Sequence, residues 1–183
     1  TIASVSETWE VPESIHHSLV KQDLEHNMGY KWFGGGRPKV TENGEWTQGG
    51  GHAILVNIAH MDANKIKEIV VPEPLSGRLS SVVWIKAVPK VKCNISILII
   101  VGIYFKPNHK IKSMLNDHLA MNFHYLKSKY NPVNFLFLGD FNEFSPNLLL
   151  LQASSLRQLV HYPTCFPGGS SIDLIVTNIG GHY

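Results

Sequence analysis

The most constraining feature of this sequence is an apolar run over residues 95–105, in which only Ser96 and Gly102 interrupt large aliphatic and aromatic side chains. The run is too short to cross a bilayer as a helix, which needs about 20 residues. A strand without a polar face must be covered on both faces. We therefore expect a layered fold with a strand over 94–104 inside it.

The other predicted elements surround that strand with sheets and helices. Apolar side chains recur every three or four residues from Ile111 to Tyr130, which predicts an amphipathic helix, and residues 146–156 resemble a second helix. Further strands are predicted at 1–5, 52–58, 66–71, 80–88, 133–138 and 171–177. Because the strands come in runs, we expect a single α/β domain over 1–183. Its architecture would be a four-layer sandwich of two packed, mainly antiparallel sheets flanked by helices. A doubly wound Rossmann sheet fits less well, because no GxGxxG motif follows the first strand.

Composition narrows the function only slightly. A formal net charge of +2 and a pI near 8.5 are compatible with a nucleic-acid partner but do not select one. Charged residues make up only 16% of the chain, which suggests that part of the natural surface is covered. Cys93 and Cys165 form no pair motif, so a structural zinc site is not expected.

Asp140 and Asn142 come at the end of an apolar strand, where a rigid sheet can present polar groups into a crevice. A carboxylate there can bind a hard cation or accept a proton from water. A neighbouring amide can contact a phosphate oxygen without adding negative charge. A simple Gly-Asp turn capped by Asn is an equally good interpretation of these residues taken alone.

Other strand ends carry similar candidates. Glu7 follows the first predicted strand and could ligate magnesium, although a lone Glu there also fits a solvated surface. Tyr104 ends the apolar run and is followed by Lys106, so a phenol and an amine could meet a phosphate, or simply cap a strand before a proline turn. Asp173 lies inside an apolar strand, where a buried charge needs a partner such as a histidine or the backbone.

Two further patterns are set aside. The triple glycines at 34–36 and 49–51 are not followed by Lys-Ser/Thr, so they form no P-loop. The adjacent Asp117 and His118 look like a catalytic pair but lie in the middle of a predicted helix beside Leu115 and Leu119. The remaining histidines show no paired spacing, and most are expected at the surface.

The order of these pieces resembles the endonuclease/exonuclease/phosphatase superfamily, most of all the endonuclease domains of non-LTR, LINE-type retrotransposons. The similarity covers nearly the whole chain. It rests on SETW at 6–9, GGG at 49–51, IYFKPN at 103–108, LGDFN at 138–142, QLV at 158–160 with PT at 163–164, and SSIDLIVTN at 170–178.

The resemblance implies magnesium-dependent (or manganese-dependent) cleavage of a DNA phosphodiester and assigns roles to the candidates. Glu7 would be a metal ligand. Asp140 and Asn142 would position or activate the attacking water and contact the phosphate. Tyr104 would hold the scissile phosphate, and Asp173 would orient a catalytic histidine. The substrate-phosphate contacts extend, by a looser match, to Lys106 and Asn108.

The chain also departs from the family pattern. The family has an earlier strand with an Asn near the metal and a closing Ser-Asp-His, whereas this sequence begins at Thr1 and stops at Tyr183. We therefore expect a domain that is incomplete at both ends and, without that His, has little or no nuclease activity on its own. Cys165 stands where relatives commonly have Arg.

Three functions stay open at this point. The first is a DNA-nicking endonuclease domain, with DNA as partner and a nuclear location implied by the resemblance. The second is a phosphomonoesterase or phospholipid phosphodiesterase on the same fold. The third is a non-catalytic relic that binds nucleic acid. The sequence indicates no membrane association, and no stable protein partner can be inferred from it.

Overall fold

The structure is a computed structural model that describes residues 1–6, 15–35, 51–72, 80–91, 93–105, 112–142, 144–146, 155–165 and 171–180. The two α-helices in this part of the chain are α1 (Ile15–His26) and α2 (Lys112–Lys129). The strands are β1 (Ile2–Ser6), β2 (Tyr30–Gly35), β3 (His52–Asn57), β4 (Lys67–Glu68), β5 (Ser80–Ala87), β6 (Leu98–Phe105), β7 (Asn134–Asp140), β8 (Arg157–Gln158) and β9 (Asp173–Thr177).

The strands form two sheets. The small sheet has the order β1-β3-β2, and the large sheet has the order β4-β5-β6-β7-β9-β8. Among the described strand pairs only β6 and β7 are parallel; the others are antiparallel. The predicted α/β sandwich of two mainly antiparallel sheets with flanking helices is confirmed.

Strand β6 is central because hydrophobic layers cover both of its faces. Every residue of β6 is buried, which explains the uninterrupted apolar run in the sequence. On one face, Ile99 and Val101 pack with the α2 side chains Leu119 and Phe123. On the other face, Leu98 and Ile100 join the core between the two sheets. The two clusters place β6 and its parallel neighbour β7 at the centre of the molecule.

Several predicted elements differ in extent. The strand expected at 66–71 is reduced to Lys67–Glu68, although the N–H of Ile69 still donates to the main-chain oxygen of Trp84 at 2.7 Å. Strand β8 was not predicted, since two residues give no detectable periodicity. Most of the helix expected at 146–156 lies outside the described residues. No described helix combines the length and apolar character that crossing a membrane requires.

Candidate active site

Tyr104, Asp140 and Asp173 lie in one row across three neighbouring strands. In the strand register Tyr104 of β6 is the partner of Asp140 of β7, and Asp140 is the partner of Asp173 of β9. Residues paired in this way project to the same face of a sheet. Ile100 and Leu138, which alternate in phase with Tyr104 and Asp140, belong to the core between the sheets. The row therefore faces the small sheet, at the end where β6 and β7 both finish.

The turn after β7 is tied to β6. The main-chain N–H of Asn142 donates to Oδ1 of Asp140 at 3.0 Å, and the side-chain Nδ2 of Asn142 donates to the main-chain oxygen of Phe105 at 2.8 Å. Asn142 has a φ of 47°, in the left-handed region that Asn tolerates better than most residues. These bonds fix the Asn142 amide beside the Asp140 carboxylate.

The same turn is tied to β9 on its other side. The N–H of Phe141 donates to the main-chain oxygen of Ile172 at 2.6 Å. The hydroxyl oxygen of Thr164 accepts from the N–H of Ile172 at 2.9 Å and from that of Asp173 at 3.0 Å. Thr164 thus holds the start of β9, where Asp173 stands. The sequence indicated the Pro163-Thr164 pair only through the family resemblance. The hydrogen bonds of Thr164 could not be predicted locally, because their donors lie eight and nine residues later in the chain.

The environment of Asp173 corrects one expectation. The sequence predicted a buried carboxylate inside an apolar strand, but Asp173 is exposed. The reason is its position as the first residue of β9, at the open end of the sheet, whereas Leu174 and Val176 are buried among the core residues on the α2 side. Its carboxylate therefore needs no internal counter-charge and is accessible to a substrate.

A cleft of about 580 Å³ opens between the sheets next to this row. Ser4 and Ser6 of β1 line one wall, and Tyr162, Thr164 and Asp173 line the other. The floor is made largely of apolar side chains from both sheets: Ile2, Leu138, Val160, Leu174 and Ile175. The end of β1 and the end of β7 are therefore brought together at one opening.

His52, the first residue of β3, is buried, whereas most of the histidines were expected at the surface. It is fully buried, its Nδ1 is 3.4 Å from Oγ of Ser6, and its Nε2 has no hydrogen-bond partner among the described atoms. The ring packs directly over Gly102 of β6, where a Cβ atom would collide with Nε2. Burial lowers the pKa of His52 to about 4, so the ring is neutral at physiological pH.

His118 is also buried, but its role is structural. Nε1 of Trp84 donates to Nε2 of His118 at 3.1 Å, and the Asn122 side chain donates to the His118 main-chain oxygen at 2.9 Å. Asp117, the preceding residue, is exposed, whereas His118 is buried in contact with Trp84 and Asn122. These contacts give His118 a structural role and support no catalytic Asp117-His118 pair.

The described part of the site contains four of the residues that the sequence nominated: Tyr104, Asp140, Asn142 and Asp173. Glu7, Lys106 and Asn108 lie outside the described residues, as do Gly36, Gly49 and Gly50 of the triple glycines. Ser6, which directly precedes Glu7, lines the same cleft as Asp173. The nominated residues that the structure describes therefore all lie at one end of the sandwich.

The donor atoms in the row suit one class of cation. Among the described residues, no three His, Cys, Asp or Glu side chains are grouped closely enough to hold a metal ion. The row instead offers two carboxylates and an amide, all with hard oxygen atoms. Mg²⁺ is held in this way, by one or two carboxylates with water and substrate oxygens completing its shell. The oxygen donors of the described residues are of the type that a hard divalent cation such as magnesium prefers.

Comparison with known proteins identifies the fold. No protein-family model and no curated protein matches the sequence. Among solved structures, the human Nocturnin catalytic domain with bound sulfate anion is similar, with a TM-score of 0.64 and 14% identity over 97% of this chain and 68% of that chain. D. rerio TDP2 complexed with a single-strand DNA product has a TM-score of 0.57 and 12% identity, covering 96% of this chain and 70% of that chain. An endonuclease/exonuclease/phosphatase family protein from Bacteroides thetaiotaomicron has a TM-score of 0.53 and 12% identity, covering 97% and 82%. At such identities the likeness shows the architecture alone: the chain has the fold of these solved structures, one of which is an endonuclease/exonuclease/phosphatase family protein.

Proposed function

We propose that this chain is a magnesium-dependent phosphodiesterase domain that nicks DNA, of the type found in LINE-type retrotransposons. The observation that carries the proposal is the row of Tyr104, Asp140 and Asp173, with the Asn142 amide fixed beside it. Hydrolysis of a phosphodiester needs a group that activates water and hydrogen-bond donors that hold the phosphate oxygens. This row supplies both at one open edge.

The proposed roles follow from the chemistry of each side chain. Asp140 accepts a proton from the water that attacks phosphorus, and Asn142 directs an amide N–H to a phosphate oxygen. The amide nitrogen of Asn142 uses one N–H on Phe105 and has a second to give. Tyr104 donates its hydroxyl to the phosphate. Asp173 would orient an imidazole that acts as general acid, and no histidine of this sequence matches that role by its motif.

Three further residues belong to the proposal by sequence alone. Glu7 is proposed as the metal ligand, and Lys106 and Asn108 as contacts to the substrate phosphate. Mg²⁺ (or Mn²⁺), when bound, neutralises charge that develops on the phosphate and on the leaving oxygen. Ser6, the residue before Glu7, lines the cleft next to the row, and this observation supports the assignment of Glu7.

DNA is favoured over other phosphoesters by two observations. The QLV…PT and SSIDLIVTN segments are typical of retrotransposon endonucleases, and one similar structure is of a protein bound to a single-strand DNA product. The alternatives are a phosphomonoesterase or phospholipid phosphodiesterase and a relic that binds nucleic acid without cleavage. Turnover of an inositol phosphate without plasmid nicking would select the former. Salt-sensitive DNA binding without metal-dependent nicking would select the latter.

A nuclear location is part of the proposal, because the substrate is DNA. A single domain over 1–183 is also proposed. Its support is that one six-stranded sheet contributes to both hydrophobic clusters, so the chain offers no separate second core among the described residues.

The test compares nicking of supercoiled plasmid by the wild-type chain and by Asp140→Ala in the presence of Mg²⁺. The informative quantity is the ratio of the two rates, whatever the absolute rate. Because little nicking is expected of the wild-type chain, the assay uses a high protein concentration, and we expect any measurable rate to fall on the order of 10²-fold or more in Asp140→Ala. Asp117→Asn is the matched control, because it removes an exposed carboxylate from α2 and should leave nicking unchanged. Equal rates for wild type and Asp140→Ala would refute the proposed site.

A second measurement does not depend on turnover. Mn²⁺ in substoichiometric amounts broadens the NMR signals of amides near its binding site. We expect broadening at Asp140, Asn142 and Asp173 that is lost in Asp140→Asn and competed by Mg²⁺. Broadening that is absent there, or that survives Asp140→Asn, would contradict a metal site at this row.

A further inference from the structure

Three lysines meet at the other end of the large sheet, away from the candidate active site. Lys67 and Lys86 are direct partners across β4 and β5. Nζ of Lys86 lies 4.8 Å from the centre of the Tyr130 ring, and Nζ of Lys129 lies 5.5 Å from the centre of the same ring. We call Lys67, Lys86 and Lys129 the lysine cluster.

The cluster lies on the α2 side of the sheet. Trp84, which alternates in phase with Lys86, contacts His118 of α2, and paired residues such as Lys67 and Lys86 project to the same face. Lys129 is the last residue of α2. The three lysines thus come from two strands and one helix end, and the ammonium groups of Lys86 and Lys129 lie over one aromatic ring.

Aromatic contacts hold two of these ammonium groups in place. An ammonium over a ring face is stabilised by the ring quadrupole, which restricts an otherwise flexible lysine. Nζ of Lys129 also donates to the hydroxyl of Tyr125 at 2.9 Å, and this hydrogen bond raises the pKa of Lys129. Lys129 is therefore charged at neutral pH and positioned by two tyrosines.

The positive charge of the cluster is uncompensated within the described part of the chain. None of the three lysines forms an ion pair with a described carboxylate. The ion pair found among the described residues lies outside the cluster and joins Lys65 to Asp62 at 2.9 Å. Like charges directly opposite one another on a sheet destabilise it. An anion bound at the cluster would remove this cost.

We propose that the lysine cluster binds the backbone of single-stranded nucleic acid, at a site separate from the row of Tyr104, Asp140 and Asp173. Lysine ammonium groups bind phosphates as point charges. Tyr125 and Met121, one turn apart on α2, are 40% and 53% exposed and offer a surface against which bases can stack. Ammonium groups next to exposed aromatic side chains are the combination that binds single strands without sequence preference.

The cluster and the row cannot share one phosphate. Lys86 pairs with Ile99, and Tyr104 lies five residues further along β6, which corresponds to a separation of about 17 Å along the strand. The cluster would therefore retain a strand while the row acts on another part of the same or a different molecule.

An anionic membrane fits this surface less well. A helix that lies in a membrane interface has a continuous apolar face. On α2 the exposed carboxylate of Asp117 lies between Met114 and Met121 on one face of the helix, where lipid headgroups would repel it. The lysines are gathered at the helix end and do not flank an apolar stripe.

The experiment measures fluorescence anisotropy of a labelled oligothymidylate with the full chain in EDTA, so that no cleavage occurs. We expect Lys129→Glu to weaken binding by about fivefold at 0.1 M salt and to reduce the slope of log affinity against log salt by about 0.7. Lys67→Glu should act similarly, and Lys129→Arg should retain binding. Lys127→Glu is the matched control, because Lys127 lies in the same helical turn but over Phe123, on another side of α2.

Each outcome decides the proposal. Loss of affinity in Lys129→Glu and Lys67→Glu but not in Lys127→Glu supports it. Equal losses in all three variants indicate only general charge attraction and overturn it. Binding to phosphatidylserine vesicles that depends on Lys129, without oligonucleotide binding, would assign the cluster to a membrane and also overturn it. Lys129→Glu should leave the Mn²⁺-dependent broadening at Asp140 and Asn142 unchanged, so failure here is distinct from failure of the proposed nuclease.

Discussion

The Asn142 side chain donates to the main-chain oxygen of Phe105 at 2.8 Å and so joins the ends of the two parallel strands β6 and β7. Because parallel strands finish at the same edge, this one bond sets the spacing between the end of β6, which carries Tyr104, and the end of β7, which carries Asp140. The hydrogen bond from Asn142 to Phe105 therefore links the main-chain conformation of Asn142 to the geometry of the candidate site.

Substitutions of Asn142 separate the contribution of its hydrogen bond to Phe105 from that of its left-handed main-chain conformation. Asn142→Ala loses the bond to Phe105 and places a residue with a poorer left-handed preference at a φ of 47°. We expect it to lower the free energy of unfolding by about 2 kcal/mol. Asn142→Gly loses the same bond but tolerates the φ, so it should cost about 1 kcal/mol. Urea denaturation of both variants measures the difference, and equal stabilities would show that the backbone conformation carries no strain.

Thr164 is expected to act on activity through the position of Asp173. Thr164→Val keeps the shape of the side chain but removes the oxygen that accepts from the N–H groups of Ile172 and Asp173. We expect the free energy of unfolding to fall by about 1–2 kcal/mol. The loss is smaller than for fully buried groups, because Asp173 is exposed and its N–H can bond to water. Nicking should fall through kcat, with KM little changed.

Thr164→Ser is the control for that variant, since it keeps the accepting oxygen and should retain both stability and nicking. Equal nicking by the Val and Ser variants at a temperature where both are folded would show that Thr164 does not position Asp173.

The sequence predicted what depends on local pattern and missed what depends on distant contacts. The buried β6 could be predicted because a strand covered on both faces leaves no polar side in the sequence. Tyr104, Asp140 and Asn142 were nominated because strand ends present side chains at a sheet edge. The burial of His52 could not be predicted, because it depends on the absence of a side chain at Gly102 in another sheet. The exposure of Asp173 depends on where β9 begins, which the apolar pattern of that segment does not mark.

Burial of His52 predicts a pH-dependent stability. The pKa of His52 in the folded chain is about 4, below its usual value of 6.5, so between these values the unfolded chain binds more protons than the folded chain. Stability should therefore fall as pH decreases from about 6.5 to about 4, by about 3 kcal/mol in total, and should be independent of His52 above this window.

The measurement is the free energy of unfolding from urea titrations at pH 4.5, 5.5 and 7.5, compared between the wild type and His52→Gln. The Gln variant keeps a polar side chain that does not titrate, so the difference between the two curves isolates His52. Parallel curves across the three pH values would mean that His52 is accessible to protons in the folded chain.

Gly102 is expected to tolerate no side chain, because β6 and β3 approach each other there. A Cβ atom at Gly102 would collide with Nε2 of His52 and with the side chain of Ile54. Gly102→Ala should lower the free energy of unfolding by about 1–3 kcal/mol, the usual cost of overpacking a core. Gly180→Ala is the matched control, since a Cβ atom there meets nothing within 4 Å. The double variant His52→Ser/Gly102→Ala should recover part of the loss, because removal of the imidazole makes room for the new methyl group. Strictly additive losses in the double variant would show that the His52 ring does not lie over Gly102.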